Sequence, residues 1–514
     1  MNRKIEDLMK YIGSIKLEKI NQFFLFALIL VLFVAVVVQI AWKIDEGPVK
    51  IWDEACTAQN AIEMLENKNF LVVYNDGKPD HFNTRPPMAV WTKTITYAIF
   101  GINVFAIRLP NLLASVLLVL LFIYFYKKHL GHSIYIVATM IIIACTRGFM
   151  TYHVARTGDP DAMLTFFVGF YAIVFFLLVE YYPKSRIRYL SLFAMGVVLA
   201  FYTKSIAGLS PLAGLFVYML TQKNGRRLLK DYRLYITACG AIVLIASYYL
   251  IRELYDPGYI DAVLKSEFGI ISNPAVVKHP EKSFYFNYLY NDGFAPFFKY
   301  IPFILIPAIF SSSQRVRRLL LFSFLGAGFF LLGNSLVTLK NEWYIAPIFP
   351  FLWLLTGIGY AELIRIMFGL IRNYWYRFIA YAVVLFMLVY LFYPHYKDIF
   401  KLNTENLNNY IYEPERAGAF LNRCKLEFPG LRNVKVFSTE HPRQLKYYAK
   451  KYYYKDGTKV DIYNYITEFQ EDQNIIICQD DLQMQFQNTY HFEILMEGKY
   501  CKLYQVKNSL SKEN

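Results

Sequence analysis

"MAVWTKTITYAIFG" (residues 88–101) decides the architecture. It is apolar, bounded by Pro86-Pro87 and Gly101, and only about fourteen residues long. A helix that crosses a bilayer core of roughly 30 Å needs about 20 residues. A segment of this length reads as interfacial or re-entrant. If it crossed, every later loop would change sides. We read it as lying on the outer membrane surface, within a loop (42–106) that carries two or three juxtamembrane helices.

Eleven longer apolar runs surround it, at 22–41, 107–126, 134–151, 162–182, 188–203, 206–221, 234–252, 295–311, 318–336, 343–360 and 376–394. The chain is 56% hydrophobic and 18% aromatic, which excludes an ordinary soluble enzyme of 514 residues. The first run lacks a small-residue cleavage site and reads as an anchor, not a signal peptide. With a cytoplasmic N-terminus, "KKHLGH", "PKSRIR", "QKNGRRLLKDYR", "SSSQRVRR" and "RIMFGLIRNYWYR" all fall inside. The short outside loops hold about one basic residue each, the positive-inside pattern. The net charge of +15 therefore reports topology, and its dispersal among loops argues against nucleic acid as a partner.

The predicted organisation has four parts. Residues 1–41 form a basic arm and the first span, 42–106 the outer loop, 107–394 the polytopic core, and 395–514 an outer soluble domain. In the last, "VKVFST" (434–439), "NIIICQ" (474–479) and "CKLYQV" (501–506) read as strands, and 413–424 and 442–450 as helices, which makes a small α/β domain. The six cysteines show no zinc spacing. For Cys424, Cys478 and Cys501, one disulfide and an unpaired buried thiol are both open.

The acids and bases at the outer edge carry the chemistry. "IWDEACTAQNAIEML" (51–65) puts Asp53 and Glu54 at the start of an amphipathic helix. Taken alone, Asp53 reads as an N-cap. The next outer loop shifts that balance. In "ARTGDPDAMLTFF" (155–167), Pro160 suits the first helical position, so Asp159 is the natural cap. Asp161 is then a further carboxylate at the membrane edge, where ionisable groups are costly and usually functional. Arg85, Arg156, Lys204 and Lys340 share that face, with Tyr344 beside Lys340 in sequence. Snorkelling explains any one of these cations. Four together point to an anionic headgroup such as a lipid phosphate, which cations also stabilise as a leaving group. A carboxylate would take a proton from an attacking hydroxyl or orient an acceptor.

These motifs, in order, resemble the GT-C glycosyltransferases that use polyprenyl-phosphate sugars. The likeness is to the protein O-mannosyltransferases and, more closely, the bacterial aminoarabinose–lipid A transferase (ArnT-like) group, over roughly residues 20–395. "WDEACTAQNAIEML" resembles the first-loop DE motif, which implies Asp53 as catalytic carboxylate, Asp161 second and Glu54 in support. "TRPPMAVWTKTITYAIFGINVFAIRLPNLL" resembles the segment with two prolines and a trailing ARLP, "FYTKSIAGLSPL" the segment that gives Lys204 a phosphate role, and "LKNEWYIAPIFP" the one in which Tyr344 lines the lipid-phosphate site. Arg85 replaces the family's usual Lys, and Thr84 its frequent acid. That acid helps hold a structural metal with a loop histidine. His279 resembles the histidine, but without its partner no metal is predicted. No cofactor is required by this reading, and a divalent ion stays open.

The resemblance implies an inverting, multi-pass transferase of the bacterial inner membrane with a periplasmic C-terminal domain. Its donor would be a polyprenyl-phosphate-linked sugar, of undecaprenyl-phosphate type. Its acceptor would be lipid A, a protein hydroxyl or another surface glycan. Competing readings are an O-antigen ligase or polymerase using a lipid-diphosphate donor, a lipid or sugar transporter or flippase, and a non-catalytic assembly protein. A transporter should carry charges near mid-membrane and often an internal repeat. Neither is visible here.

Overall fold

The computed structural model describes residues 23–269, 281–371, 374–405, 412–438, 442–466 and 468–509. The chain is mainly helical and divides into two compact units.

The first unit runs to Trp42 and includes 111–156 and 161–403. Each of the eleven apolar runs coincides with a helix there, but not all are long enough to span. Among the described residues, eight helices have the length and composition to cross, or nine if Phe284–Gly293 and Phe297–Ile309, bent by 91°, make one span. Ser133–Ala144 and Leu212–Thr221 have only 12 and 10 residues. The run at 134–151 breaks after Ala144 before a short helix, Arg147–Met150, and the run at 206–221 opens with the 3-10 segment Ser205–Gly208, so hydropathy overstated helix length.

Aromatic packing fills this unit. Trp353 is fully buried, with the rings of Phe149, Phe122 and Phe349 centred 4.9, 5.8 and 6.1 Å away. Its indole N–H donates to Thr146 Oγ1 at 2.9 Å, which satisfies a donor that burial would otherwise penalise. Helices approach closely where side chains are small: a Cβ on Gly214 would stand 2.5 Å from the Leu325 carbonyl oxygen. Tyr232–Tyr255, by contrast, buries only Tyr248 and Arg252, as suits a helix facing hydrocarbon.

The second unit joins Lys43–Pro110, Thr157–Pro160 and Thr404–Asn514. The expected outer loop and tail therefore share one compact body, and the last helix, Tyr374–Glu405, continues past the expected boundary at 395. Helix Asp53–Asn67 packs beside Met88–Phe100, with a two-residue hairpin between them whose turn residues Asp76 and Gly77 both have positive φ. The tail forms a five-stranded sheet in the order Lys459–Tyr463, Asn433–Phe437, Asn474–Ile477, Lys502–Ser509, Tyr490–Glu497. The first three strands are parallel and the last two antiparallel. Helices Glu413–Glu427, Arg443–Asp456 and Asp480–Gln487 complete the α/β arrangement. Cys478 and Cys501 are disulfide-bonded and Cys424 is a buried free thiol. One continuous core unites loop and tail: Ala58, Ile62 and Ile107 belong to the same cluster as Leu421, Val436 and Leu503.

Candidate functional site

Helix Asp53–Asn67 starts at Asp53 itself. The residue before it, Trp52, has φ 74° and ψ −120°, and no side chain caps this end. Asp53 is thus the first helical residue and not the N-cap. Asp53 Oδ2 lies 3.0 Å from Arg85 Nη1, with 28% and 32% of the two side chains exposed. The pair is therefore ordered yet open to a ligand.

Glu54 points the other way and is fully buried. It accepts from Arg108 Nε (2.8 Å) and Nη2 (3.2 Å), from the Lys50 amide (2.6 Å) and from the Gly158 amide (2.7 Å). Arg108 spends its other N–H groups on the carbonyls of Ile44, Glu46 and Pro48, each at 2.9 Å. The adjacent acids thus differ in their surroundings. Asp53 is part-exposed, whereas Glu54, expected in a supporting role, is buried and ties residues 44–54, 108 and 158 together. Gly158 must be glycine, because a Cβ there would lie 2.5 Å from Ile107 Cγ2 and 3.1 Å from Glu54 Cγ. Asp159 accepts from the Thr157 hydroxyl. The following helix begins at Asp161, so the expected cap at Asp159 with Pro160 as first helical residue is displaced by one position.

Besides Arg108, further charged residues of this unit were not singled out from sequence. Lys93 is buried on helix Met88–Phe100 and donates to the Ala89 carbonyl at 3.3 Å. Burial pulls its amine down to about 8, against the attraction of Asp159, Glu54 and Asp53. Asp80 and Arg443 form a two-pronged pair at 2.7 and 3.1 Å, and Asn60 adds a bond to Asp80 at 3.0 Å. A lysine on a juxtamembrane helix reads as a snorkelling side chain, and Arg443 sits in a helix that gave no sign of its partner.

The first unit holds the other group. Lys204 ends helix Arg186–Lys204, and its Nζ lies 2.7 Å from Asp161 Oδ1 with both side chains buried. The Tyr344 ring stands 4.8 Å from the same ammonium, in cation–π range. Tyr344 belongs to the 3-10 helix Glu342–Ile348, just after the buried Lys340. Arg156, expected at the phosphate, is bonded to backbone. It is buried, and its Nη1 donates to the carbonyls of Ile40 (2.6 Å) and Trp42 (2.7 Å), capping the last turn of the first helix. His279 lies outside the described residues.

Comparison with known proteins agrees with this architecture. Residues 84–250 match the family model of dolichyl-phosphate-mannose-protein mannosyltransferase. An uncharacterised protein of Aquifex aeolicus (strain VF5) is 26% identical over 331 residues, 63% of each chain. The chain thus spans less than two thirds of that relative's length. The crystal structure of ArnT from Cupriavidus metallidurans bound to undecaprenyl phosphate superposes with a TM-score of 0.65 at 15% identity, covering 94% of this chain and 97% of that one. The apo form gives 0.67 at 13% identity, covering 94% and 98%. At these identities the likeness establishes the fold.

Proposed function

We propose, from the premise that this chain is a multi-pass GT-C glycosyltransferase of the ArnT and protein-mannosyltransferase type using a lipid-linked donor, that it moves one sugar from a polyprenyl-phosphate carrier to an acceptor on the outer face of the bacterial inner membrane. The observation that carries this reading is the Asp53–Arg85 pair: a half-exposed carboxylate at a helix start, held by a guanidinium and set beside a buried, saturated Glu54. Asp53 takes the proton of the acceptor hydroxyl as its oxygen bonds to the anomeric carbon. The bond from that carbon to the lipid phosphate breaks, and its electron pair leaves on the phosphate oxygen. Attack opposite the leaving group inverts the anomeric centre. Arg85, bonded to Asp53, supplies positive charge for the phosphate. Within the other unit, Asp161 pairs with Lys204 and the Tyr344 ring stands against the same ammonium, a cationic group of the kind that holds a lipid phosphate. The ArnT crystallised with undecaprenyl phosphate supports a carrier of that kind.

The test is transfer by purified chain from undecaprenyl-phosphate-linked mannose and aminoarabinose, against the corresponding diphosphate-linked sugars. Monophosphate donors should be used and diphosphate donors refused. Asp53→Asn should insert and fold normally. An amide cannot accept the proton, so the rate should fall on the order of 100- to 10,000-fold. Near-wild-type transfer by Asp53→Asn, or a preference for diphosphate donors, would refute the assignment.

A further inference from the structure

Residues 49–52 lead into the helix that carries Asp53, and side chains of the C-terminal fold hold their backbone. The Val49 amide donates to the Tyr448 hydroxyl at 3.1 Å, and the Val49 carbonyl accepts from Gln444 Nε2. The Ile51 amide donates to Glu415 Oε1 at 3.3 Å, and Lys50 Nζ reaches Glu415 Oε2, also at 3.3 Å. Glu54 takes the Lys50 amide. These anchors hold the chain up to Trp52, whose φ of 74° is a conformation that L side chains seldom adopt. Such backbone strain persists only where the surroundings over-determine it.

We propose that Glu415 is a positioning residue for Asp53, fixing the strained turn from which the Asp53 helix departs. The inference rests on the reading of Asp53 as the catalytic carboxylate. Glu415 is 1% exposed, so it does not meet substrate. Burial raises its pKa, while Lys50 and the Ile51 amide pull it back. Its bonds go to the two residues before Trp52, and releasing them lets φ of Trp52 relax and Asp53 swing. A misplacement of about 1 Å at a reacting group can cost on the order of 100-fold in rate.

The experiment uses the full chain in lipid nanodiscs and the monophosphate donor selected by the panel above. In Glu415→Ala, kcat should fall about 10- to 100-fold while donor KM stays within about twofold, as expected when orientation and not binding is lost. Hydrogen exchange should quicken across 49–52 and stay unchanged in the strands Asn433–Phe437 and Asn474–Ile477. Glu415→Gln should retain most of kcat, because its amide oxygen still accepts from Ile51. If Glu415→Ala loosens the sheet as well, Glu415→Asp decides: it keeps the charge but, one methylene shorter, misses the Ile51 amide and should lose kcat with the sheet intact. Wild-type kcat in Glu415→Ala or Glu415→Asp, with Asp53→Asn inactive, overturns the positioning role. Wild-type turnover in Asp53→Asn overturns the catalytic reading beneath it.

Discussion

Replacing Arg108 by Met should be the most damaging single change in the loop-and-tail unit. The variant leaves the Glu54 carboxylate fully buried with only two amide donors, and strips the carbonyls of Ile44, Glu46 and Pro48 of their shared partner. Removing one member of a buried ion pair costs about 3–5 kcal/mol. For a cooperative unit of roughly 150–250 residues, each kcal/mol moves the midpoint by about 2–4 °C, so Tm should drop by about 6–20 °C. Arg108→Lys restores the charge, but three donors on one nitrogen cannot span acceptors that now receive a planar fork. We expect about half the loss. Glu54→Gln combined with Arg108→Met should cost less than the sum of the singles, because the two side chains share one bonded network. The assay is thermal unfolding of purified chain followed by tryptophan fluorescence. A midpoint within 2 °C of wild type for Arg108→Met, or an Arg108→Lys variant that melts with wild type, would show that the network is not what holds the acid loop.

Lys204→Met should leave Asp161 buried without its cation, lowering stability by about 3–5 kcal/mol, and Lys204→Met/Asp161→Leu should recover part of it; equal melting of the two variants would deny the pairing. Burial opposes ionisation of Asp80, yet the bonds from Arg443 and Asn60 hold its pKa below the usual carboxylate value. Its contribution is therefore present above about pH 4 and lost as pH falls through the depressed folded value. Arg443→Met should melt lower at pH 7 and lose less than wild type on acidification to pH 2; a parallel pH dependence would rule this out. A reporter active only in the periplasm, fused after Lys507, should work, and activity of a cytoplasm-only reporter there would invert the topology.

The sequence made the helices legible because a bilayer imposes a length that a soluble core does not. It marked the acids as candidates for chemistry, since a carboxylate pair at a membrane edge is expensive. It could not say which acid faces out. That depends on Arg108, 54 residues from Glu54, and on a φ at Trp52 that no propensity predicts. Arg156 read as a phosphate ligand because the free carbonyls of Ile40 and Trp42, more than 110 residues earlier, are backbone and leave no mark in the sequence. Lys459–Tyr463 and Tyr490–Glu497 were missed in the tail because both are largely solvent-facing strands in which charged residues blur the alternation.

The body that carries Asp53 is assembled from pieces made at opposite ends of translation. The Asp53 loop leaves the ribosome early, and helix Glu413–Glu427 follows only after some 300 more residues, a wait of about 15–60 s at 5–20 residues per second. Until then Ile51 has no Glu415, Asp80 no Arg443, and the apolar faces of Ala58 and Ile62 no tail to cover them. A nascent chain already threaded through the membrane would present its acid loop unfinished. Chains cut short by stalling or proteolysis would be inserted with the Asp53 loop unsupported, and on the function proposed above they would be inert.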